Sequence, residues 1–262
     1  MSDMILPARA AAPGRPAVRK LKLEDLRIAL AQGWDDYRAK RGEMIFLGLI
    51  YPVVGLLAAV VFSRRDLLPM LFPLAAGLGL LGPALASGFY ELARRRDAGE
   101  DPHWTCVFQV FRTPPFAAPA GLSALVFALF GLWLFTAYGL YVATLGADPP
   151  ASAAFWSRLF TTPQGWTLVV VGNLAGAAFS AVALAVSAVS FPMVVDGRAG
   201  PVTAAETSLR VARASPGAVV AWGLVVAGLL VLGSIPLFVG LAVVLPVLGY
   251  ATWHLYTRAV ER

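Results

Sequence analysis

The chain has 262 residues, of which 58% are hydrophobic and only 14% are charged, and its formal net charge is +6. A soluble domain carries roughly 25% charged and 45–50% apolar residues, so this chain has too little polar surface to cover itself in water. The composition excludes a soluble enzyme and a disordered chain, and it predicts a membrane protein of about one domain. One cysteine and two histidines exclude a disulfide framework and a thiolate metal site and disfavour a haem centre, so we expect no cofactor and no metal.

The N-terminal part of the chain divides into two segments. Residues 1–20 are rich in Ala, Pro and Arg, and we expect them to be disordered. They lack the apolar core of a cleaved signal peptide. Residues 21–42 predict an amphipathic helix at the cytoplasmic face, which either lies in the headgroup plane or docks on a partner protein. Its apolar stripe consists of Leu23, Leu26, Leu30, Trp34 and Tyr37, with Trp34 as the expected interface anchor.

Five stretches without charged residues are each long enough to cross a bilayer, for which about 20 residues suffice. The last of them, Ala214–Thr257, would form a helix of about 66 Å and should therefore fold back once, at Gly233–Pro236. We predict an all-α polytopic domain over 43–257, followed by a short tail at 258–262. Its six transmembrane helices are predicted at about 44–62, 67–90, 118–142, 166–192, 217–233 and 236–255. A re-entrant pair is the alternative for the last two.

The distribution of basic residues predicts the orientation. Eighteen of the 21 Lys and Arg residues fall in the N-terminal segment, in the 91–117 and 193–216 loops and in the C-terminal tail. By the positive-inside rule, these parts and both termini lie on the cytoplasmic side, which we expect to be that of a bacterial inner membrane. Nucleic-acid binding is the rival interpretation of a pI near 9.8. It is disfavoured because the basic residues are dispersed over membrane-adjacent loops.

Two stretches share a plan that predicts a parallel internal repeat. Each leaves a span through a turn with acidic, Gly and Pro residues, at Asp97–Pro102 and at Asp196–Pro201. Each then opens a short amphipathic segment, at Trp104–Arg112 and at Thr203–Arg213, before a further proline and a further span. Since both units face the cytoplasm, an axis along the membrane normal would relate them. Two independent interfacial helices are the alternative.

Small residues in the fourth predicted span indicate helix packing. Gly172, Gly176 and Ser180 recur every four residues, a spacing that lets another helix approach closely. A helix of the same chain is the first candidate for the packing partner, and a second copy of the chain in a homodimer is the alternative.

Prolines such as Pro73 and Pro246 lie within other spans and indicate kinks. Such kinks serve helix packing or, in a carrier, act as a hinge.

The six spans carry no ionisable residue near their centres, which disfavours a proton pump and an ion channel with a charged filter. We therefore place the candidate interaction residues at the cytoplasmic face. They are Glu91, Arg94, Arg95, His103, Trp253, His254 and Tyr256. Glu91 is interpreted as a headgroup-level carboxylate paired with an arginine, as a buried pair that locks a short helix, or as a partner contact. Interfacial aromatic residues explain both histidine positions without a ligand role.

Two segments of the chain, Leu85–Asp101 and Leu245–Arg258, resemble a family of uncharacterised bacterial integral membrane proteins. The motifs that carry the resemblance are Gly88, Tyr90-Glu91 and Arg94-Arg95 in the first segment, and Ala251-Thr252-Trp253-His254 and Tyr256 in the second. The resemblance extends over about residues 25–260. Some members of the family are labelled cytochrome c oxidase subunits, which implies a respiratory context. A catalytic oxidase subunit needs several intramembrane histidines, so only an accessory or assembly role fits this chain.

We therefore expect a non-catalytic inner-membrane protein that binds the lipid bilayer and other integral membrane proteins, as an accessory or assembly subunit of a respiratory complex. A carrier for a small neutral or apolar solute is the alternative, since Pro and Gly interrupt the spans and a repeat is predicted. A membrane enzyme is the third hypothesis. It would require Glu91, His103 and His254 to converge at the inner surface.

Overall fold

The computed structural model describes residues 16–39, 73, 82–103, 105–106, 117–146, 152–236 and 239–261. The regular elements within these residues are helices, and a lone bridge pairs Val18 with Val260, so the all-α prediction is confirmed. The predicted span at 44–62, most of the span at 67–90 and most of the segment at 104–112 lie outside the described residues. So do residues 1–15 of the segment predicted to be disordered.

The described helices follow the chain in a simple order. They are α1 (Leu23–Ala39), α2 (Gly82–Leu85), α3 (Ser87–Asp97), α4 (Ala117–Leu145), α5 (Ser152–Thr161), α6 (Pro163–Ser187), α7 (Ser190–Val195), α8 (Pro201–Ala214), α9 (Pro216–Ser234) and α10 (Leu241–Ala259). Proline begins α6, α8 and α9, where its missing N–H would have no intrahelical partner. Gly99 and Gly197 follow α3 and α7 with φ of 81° and 73°, a conformation that glycine adopts without steric cost.

Three stretches of the described residues are helical, long and apolar enough to cross a membrane: Ala120–Leu145, Pro163–Val195 and Pro216–Ser234. They correspond to the predicted spans at 118–142, 166–192 and 217–233. The remaining long helix, α10, replaces the predicted span at 236–255 and is shifted towards the C-terminus. Aromatic and charged residues in its second half, among them His254 and Arg258, lower its hydropathy. The count of six spans and the internal repeat stay predictions.

The helix that contains the fourth predicted span is interrupted where α6 gives way to α7. Val189, at the break, has left the helical conformation with φ of −130°. Ser208 of α8 accepts a hydrogen bond from the Val189 N–H at 3.3 Å and donates one to the Ala185 carbonyl at 2.8 Å. A helix break inside protein is tolerated when other groups satisfy the freed backbone. The buried Ser208 hydroxyl does this, so α8 and the break depend on each other.

The helices α9 and α10 form a hairpin that turns where the sequence predicts a turn, after Gly233. The two helices approach closely there, since a Cβ placed on Gly240 would lie 2.8 Å from the Cα of Gly233. No side chain fits at such a distance without a shift of the backbone. The glycine pair therefore fixes how tightly the hairpin closes.

The molecule has two different ends. One end collects α1, α3, α7, α8 and the second half of α10, which we call the polar layer. The other end carries α5, between the end of α4 and the start of α6. The largest fully buried side chains lie in the polar layer, namely Trp253, Tyr250, Tyr256, Phe89 and Phe191. Four of these five side chains thus lie outside the three apolar spans, and Phe191 lies at the end of one. Within the bilayer, lipid gives helices no hydrophobic reason to associate.

The predicted amphipathic helix exists as α1, but it packs antiparallel along α10 of the same chain. Neither predicted alternative, the headgroup plane or a partner protein, included this contact. The buried face consists of Leu26, Ala29, Gly33 and Tyr37. Leu23 and Trp34 of the predicted stripe are 65% and 45% exposed. The buried face therefore keeps Leu26 and Tyr37 of the predicted stripe but is rotated towards the small residues Ala29 and Gly33.

Gly33 explains the rotation of α1. A Cβ at this position would lie 2.6 Å from the Ala251 amide nitrogen and 2.8 Å from the Val247 carbonyl oxygen. Both are backbone atoms of a packed helix, so they cannot move aside as the end of a flexible side chain could. Only glycine lets α1 and α10 approach backbone to backbone, and Leu23 and Trp34 of the predicted stripe turn outwards as a result.

The substitution Gly33→Ala should weaken the docking of α1. Inserting a methyl group into a tightly packed contact costs about 1–3 kcal/mol. We expect a lower melting temperature in detergent and faster proteolysis within residues 23–39. The control is Gly131→Ala in α4, where an added Cβ meets open space. If both variants melt and are cleaved like the unmodified protein, the close approach at Gly33 is wrong.

Candidate functional site

The carboxylate of Asp36 links three helices of the polar layer. Its Oδ1 lies 2.7 Å from Nε of Arg96 on α3, and its Oδ2 lies 2.7 Å from Nε2 of His254 on α10. All three side chains are largely buried, so the hydrogen bonds are only partly screened by solvent. Charge-assisted bonds of this length are among the strong ones in proteins. Asp36 therefore holds α1 against α3 and α10 at once.

A second polar contact joins α1 and α10 further along the pair. The guanidinium of Arg258 lies 3.6 Å from Oδ1 of Asp25 and donates to Oε1 of Gln32 at 3.3 Å. Residues 25, 32 and 36 are seven and four positions apart, which places them on one flank of the helix. This polar flank borders the apolar face of α1. The helix therefore has a unique orientation against α10, because any rotation would separate several charged groups from their partners.

Glu91 is the most buried carboxylate of the polar layer, with 7% of the residue exposed. Arg94 donates from Nε and Nη2 to its two oxygens at 2.8 Å each, and Arg95 donates from Nε at 2.6 Å. The spacings of three and four residues bring these side chains together on one helix. Arg95 also donates to Sγ of Cys106 at 3.4 Å, which connects α3 to the turn at 105–106.

The surroundings of Glu91 decide its protonation. Burial alone would raise the pKa of Glu91, but the hydrogen bonds and positive charges of Arg94 and Arg95 outweigh it and hold the pKa below its ordinary value. The hydrogen bonds to Glu91 raise the pKa of both arginines in turn. Glu91 is thus a carboxylate at neutral pH and is not poised to donate a proton.

A third polar group ties α10 to the end of α7. The hydroxyl of Tyr256 donates to Oδ2 of Asp196 at 2.8 Å, and Nε of Arg198 donates to the same oxygen at 2.8 Å. The ring of Tyr256 meets that of Trp253 edge to face, with centroids 5.5 Å apart. Both rings are fully buried, so the hydrogen bond lies at the edge of a buried aromatic pair.

His103 stands apart from these groups, on an exposed part of the loop after α3. Its Nδ1 lies 3.0 Å from Oγ1 of Thr105. The contacts of Glu91 are to arginines of its own helix, and those of His254 are to Asp36. The three residues that a membrane enzyme would need together thus occupy different sets of contacts. Within the described part of the chain, no group of three or more His, Cys, Asp or Glu residues could hold a metal ion.

The residues predicted from the sequence form only part of the polar network, and the residues that connect them were not predicted. Glu91, Arg94 and Arg95 lie on α3, and Trp253, His254 and Tyr256 lie on α10, which contacts α3. The connecting residues Asp36, Arg96 and Asp196 were not predicted. A signal existed for Asp36, since Asp25, Gln32 and Asp36 form a polar flank at helical spacing. Its partners are 60 and 218 positions away, so periodicity within one helix could not reveal them.

The predicted small-residue stripe of α6 has different surroundings at each position. A Cβ on Gly176 would lie 3.2 Å from the ring of Trp133, so α4 packs there against α6 in the same chain. A Cβ on Gly172 would meet open space. Ser180 is exposed and lines a groove beside the helix. The stripe as a whole therefore does not form one helix seam within the described residues.

The groove has a volume of about 520 Å³ and lies between α6, α9, α10 and the α2–α3 segment. Small residues make room for it, among them Ala177, Ala181 and Ala227. Its described lining includes hydroxyl groups but no charged side chain. Ligand pockets have volumes of about 300–1,000 Å³ and mostly apolar walls with a few polar groups. The groove thus has the size and polarity of a site for an uncharged molecule.

The lowered pKa of Glu91 predicts a pH dependence of stability. A depressed pKa in the folded state stabilises the protein above the unfolded pKa, and the contribution is lost as the pH falls through the folded value. We expect Glu91→Gln to lower the melting temperature near pH 7, because about 1–3 kcal/mol is lost when buried arginines lose their partner. The melting temperature in detergent is measured from about pH 7 to pH 3, and the difference between Glu91→Gln and the unmodified protein should shrink at acidic pH. A difference that is constant over this range would contradict the ionised pair.

The comparisons with known proteins agree with this architecture. Residues 71–196 match the model of a family described as predicted integral membrane protein (DUF2189). This stretch contains α2 to α7, and therefore Glu91, Arg94 and two of the three apolar spans. No curated protein and no solved structure matches the chain. The match covers 126 of the 262 residues, and over this stretch the chain is similar to a family of predicted integral membrane proteins.

Proposed function

We propose that this integral membrane protein is a non-catalytic accessory or assembly subunit that binds another membrane protein through the exposed side of α1. The observation that carries the proposal is a second surface of α1, beside the one buried against α10, on which two large apolar side chains alternate with two arginines. It consists of Leu23, Arg27, Trp34 and Arg38, which we call the outer face of α1.

The outer face of α1 is a continuous surface. Its members are four, seven and four positions apart, which places them on one side of a helix. Leu23 and Trp34 are large apolar side chains exposed to 65% and 45%, and an arginine follows each of them by four residues. Aromatic and arginine side chains are enriched where proteins bind one another. This combination suits a partner with an apolar groove flanked by carboxylates.

The rigid attachment of α1 supports a docking role. Asp36 and Asp25 fix the helix by hydrogen bonds and ion pairs to α3 and α10, so the outer face is presented in one orientation. A pre-organised surface binds at a lower entropic cost than a mobile one. In the polar layer, the carboxylates of Glu91, Asp36 and Asp196 are paired with arginines, which favours a structural rather than a catalytic use of this layer.

The respiratory context of the proposal rests on the family resemblance, in which some members are labelled cytochrome c oxidase subunits. In this proposal the protein lies in a bacterial inner membrane, with the polar layer and both termini on the cytoplasmic side. The partner is then an oxidase subunit or one of its assembly proteins, reached at the cytoplasmic surface of the bilayer.

Photo-crosslinking in intact membranes tests the docking role. A crosslinking amino acid replaces Trp34, and a control replaces Trp166, an equally exposed tryptophan at the other end of the molecule. We expect a discrete adduct with a respiratory membrane protein from position 34 only. The double substitution Leu23→Ser and Trp34→Ser should abolish co-purification of that protein in mild detergent. Recovery of the chain alone, or adducts only with lipid at position 34, would contradict the proposal.

The groove favours a second candidate function, a carrier or binding protein for a small neutral or apolar solute. Its walls belong to α6, α9 and α10, so it follows the long axes of the apolar helices. Residues of α6 from Ala177 to Ser187 line it over a length of about 15 Å at 1.5 Å per residue. Tyr90 and Thr252 provide hydroxyl groups near the polar layer, whereas Leu230 and Ala177 line the opposite part. Such a gradient fits an amphipathic molecule without charge.

Filling the groove tests the carrier function. In reconstituted vesicles, Ala181→Leu should reduce the binding and transfer of a fluorescent long-chain alcohol, because the larger side chain occupies the groove. The matched control is Ala178→Leu, an exposed alanine of the same helix that does not line the groove. Equal transfer by both variants and the unmodified protein would exclude the groove as a path for such a solute.

A further inference from the structure

The helix α5 lies at the end of the molecule opposite the polar layer. It connects α4 to α6, and both of these belong to stretches that are long and apolar enough to cross a membrane. The helix α6 has 25 residues and is about 38 Å long, which exceeds the roughly 30 Å of a bilayer's hydrocarbon core. Because α5 joins the ends of two such helices, it must lie near the bilayer surface.

One face of α5 is fixed against the two spans. Phe155 and Leu159 are buried in a cluster with Tyr141 and Leu145 of α4. The turn into α6 is tight, since a Cβ on Gly165 would collide with the carbonyl groups of residues 158 and 159. The helix α5 is thus a wedge between the spans with a defined rotation, and its other face must point away from the protein.

That other face carries two exposed aromatic rings, Trp156 and Phe160, and Trp166 in the first turn of α6 continues the row. We call these three rings the aromatic ladder. They are 47%, 53% and 53% exposed. The rings of Trp156 and Phe160 are stacked with centroids 6.1 Å apart, and those of Phe160 and Trp166 meet edge to face at 6.4 Å. The Trp166 indole N–H donates to the Phe160 carbonyl at 3.0 Å, which holds the last ring against α5.

The charge distribution of α5 leaves the ladder apolar. Arg158 is its one charged residue, and Nη2 of Arg158 donates to the Leu145 carbonyl at 2.6 Å, where α4 ends. The hydroxyl of Thr161 donates to the Ser157 carbonyl of its own helix at 2.7 Å. The ladder is therefore apolar, while its polar neighbours bond to the backbone. Water is a poor environment for such a surface, and a patch of this kind marks a contact.

We propose that the aromatic ladder binds the boundary between headgroups and acyl chains in the leaflet opposite the polar layer, with α5 lying in the membrane plane. Tryptophan is enriched at this depth because its large ring is apolar and its N–H is polar. A helix that lies in this plane buries its apolar face in the boundary and keeps its charge out of the hydrocarbon. The ladder then sets the depth at which α4 and α6 sit in the bilayer.

Fluorescence quenching by lipids tests the ladder. The full chain is reconstituted in phosphatidylcholine vesicles whose acyl chains carry bromine, either close to the glycerol backbone or close to the methyl ends. The variants Trp156→Phe and Trp166→Phe each remove one indole and keep an aromatic ring, so subtraction from the unmodified protein isolates the emission of that tryptophan. The control is Trp133→Phe, which isolates a ring buried between α4 and α6.

We expect the emission of Trp156 and Trp166 to be lost most with bromine near the glycerol backbone, and little with aqueous acrylamide. The emission of Trp133 should be quenched only weakly by the brominated lipid and by acrylamide. Strong quenching by acrylamide would place the ladder in water and overturn the proposal. Protection from both quenchers would show that protein, such as a second copy of the chain, covers it, which also overturns the proposal. If one substitution prevents reconstitution, the other still gives the depth of its tryptophan.

Discussion

The docking of α1 on α10 is the constraint on which the polar layer depends. Glycine at position 33 allows backbone contact, and Asp36 then reaches Arg96 and His254 on two other helices. Removal of the carboxylate would leave a largely buried guanidinium without its partner, which costs more than the pair itself contributes. The arrangement therefore favours specificity of packing, because only one rotation of α1 satisfies both its small-residue face and its charged flank.

The two ends of the molecule are stabilised by different interactions. At one end, amphipathic helices bury aromatic residues against each other and pair their charges, as in a soluble domain. At the other, a short wedge between α4 and α6 exposes aromatic rings and holds its one arginine against a helix end. In between, large apolar side chains such as Phe135 and Leu224 face outwards, where lipid is an adequate solvent.

The sequence was informative where a single physical property decides the outcome. Stretches without charge predicted α4, α6 and α9, because the length of an apolar run is what a bilayer selects. The turn between α9 and α10 followed from Gly and Pro. The break after α6 was not predicted, because it depends on a hydroxyl that Ser208 supplies from 19 positions away. An apolar run carries no information about such a partner.

The face of α1 shows why pattern analysis failed at the candidate site. The predicted stripe consisted of bulky residues, so Leu23 and Trp34 were placed on one face with Leu26 and Tyr37, and Gly33 was not included. Close packing of two helices favours small residues in the contact, since these let the backbones meet, and bulky residues then lie on the outer side. For this reason the outer face of α1 keeps two large apolar side chains, Leu23 and Trp34. These exposed apolar side chains form a surface for a second contact, and Arg27 and Arg38 on the same face restrict which surfaces can complement it.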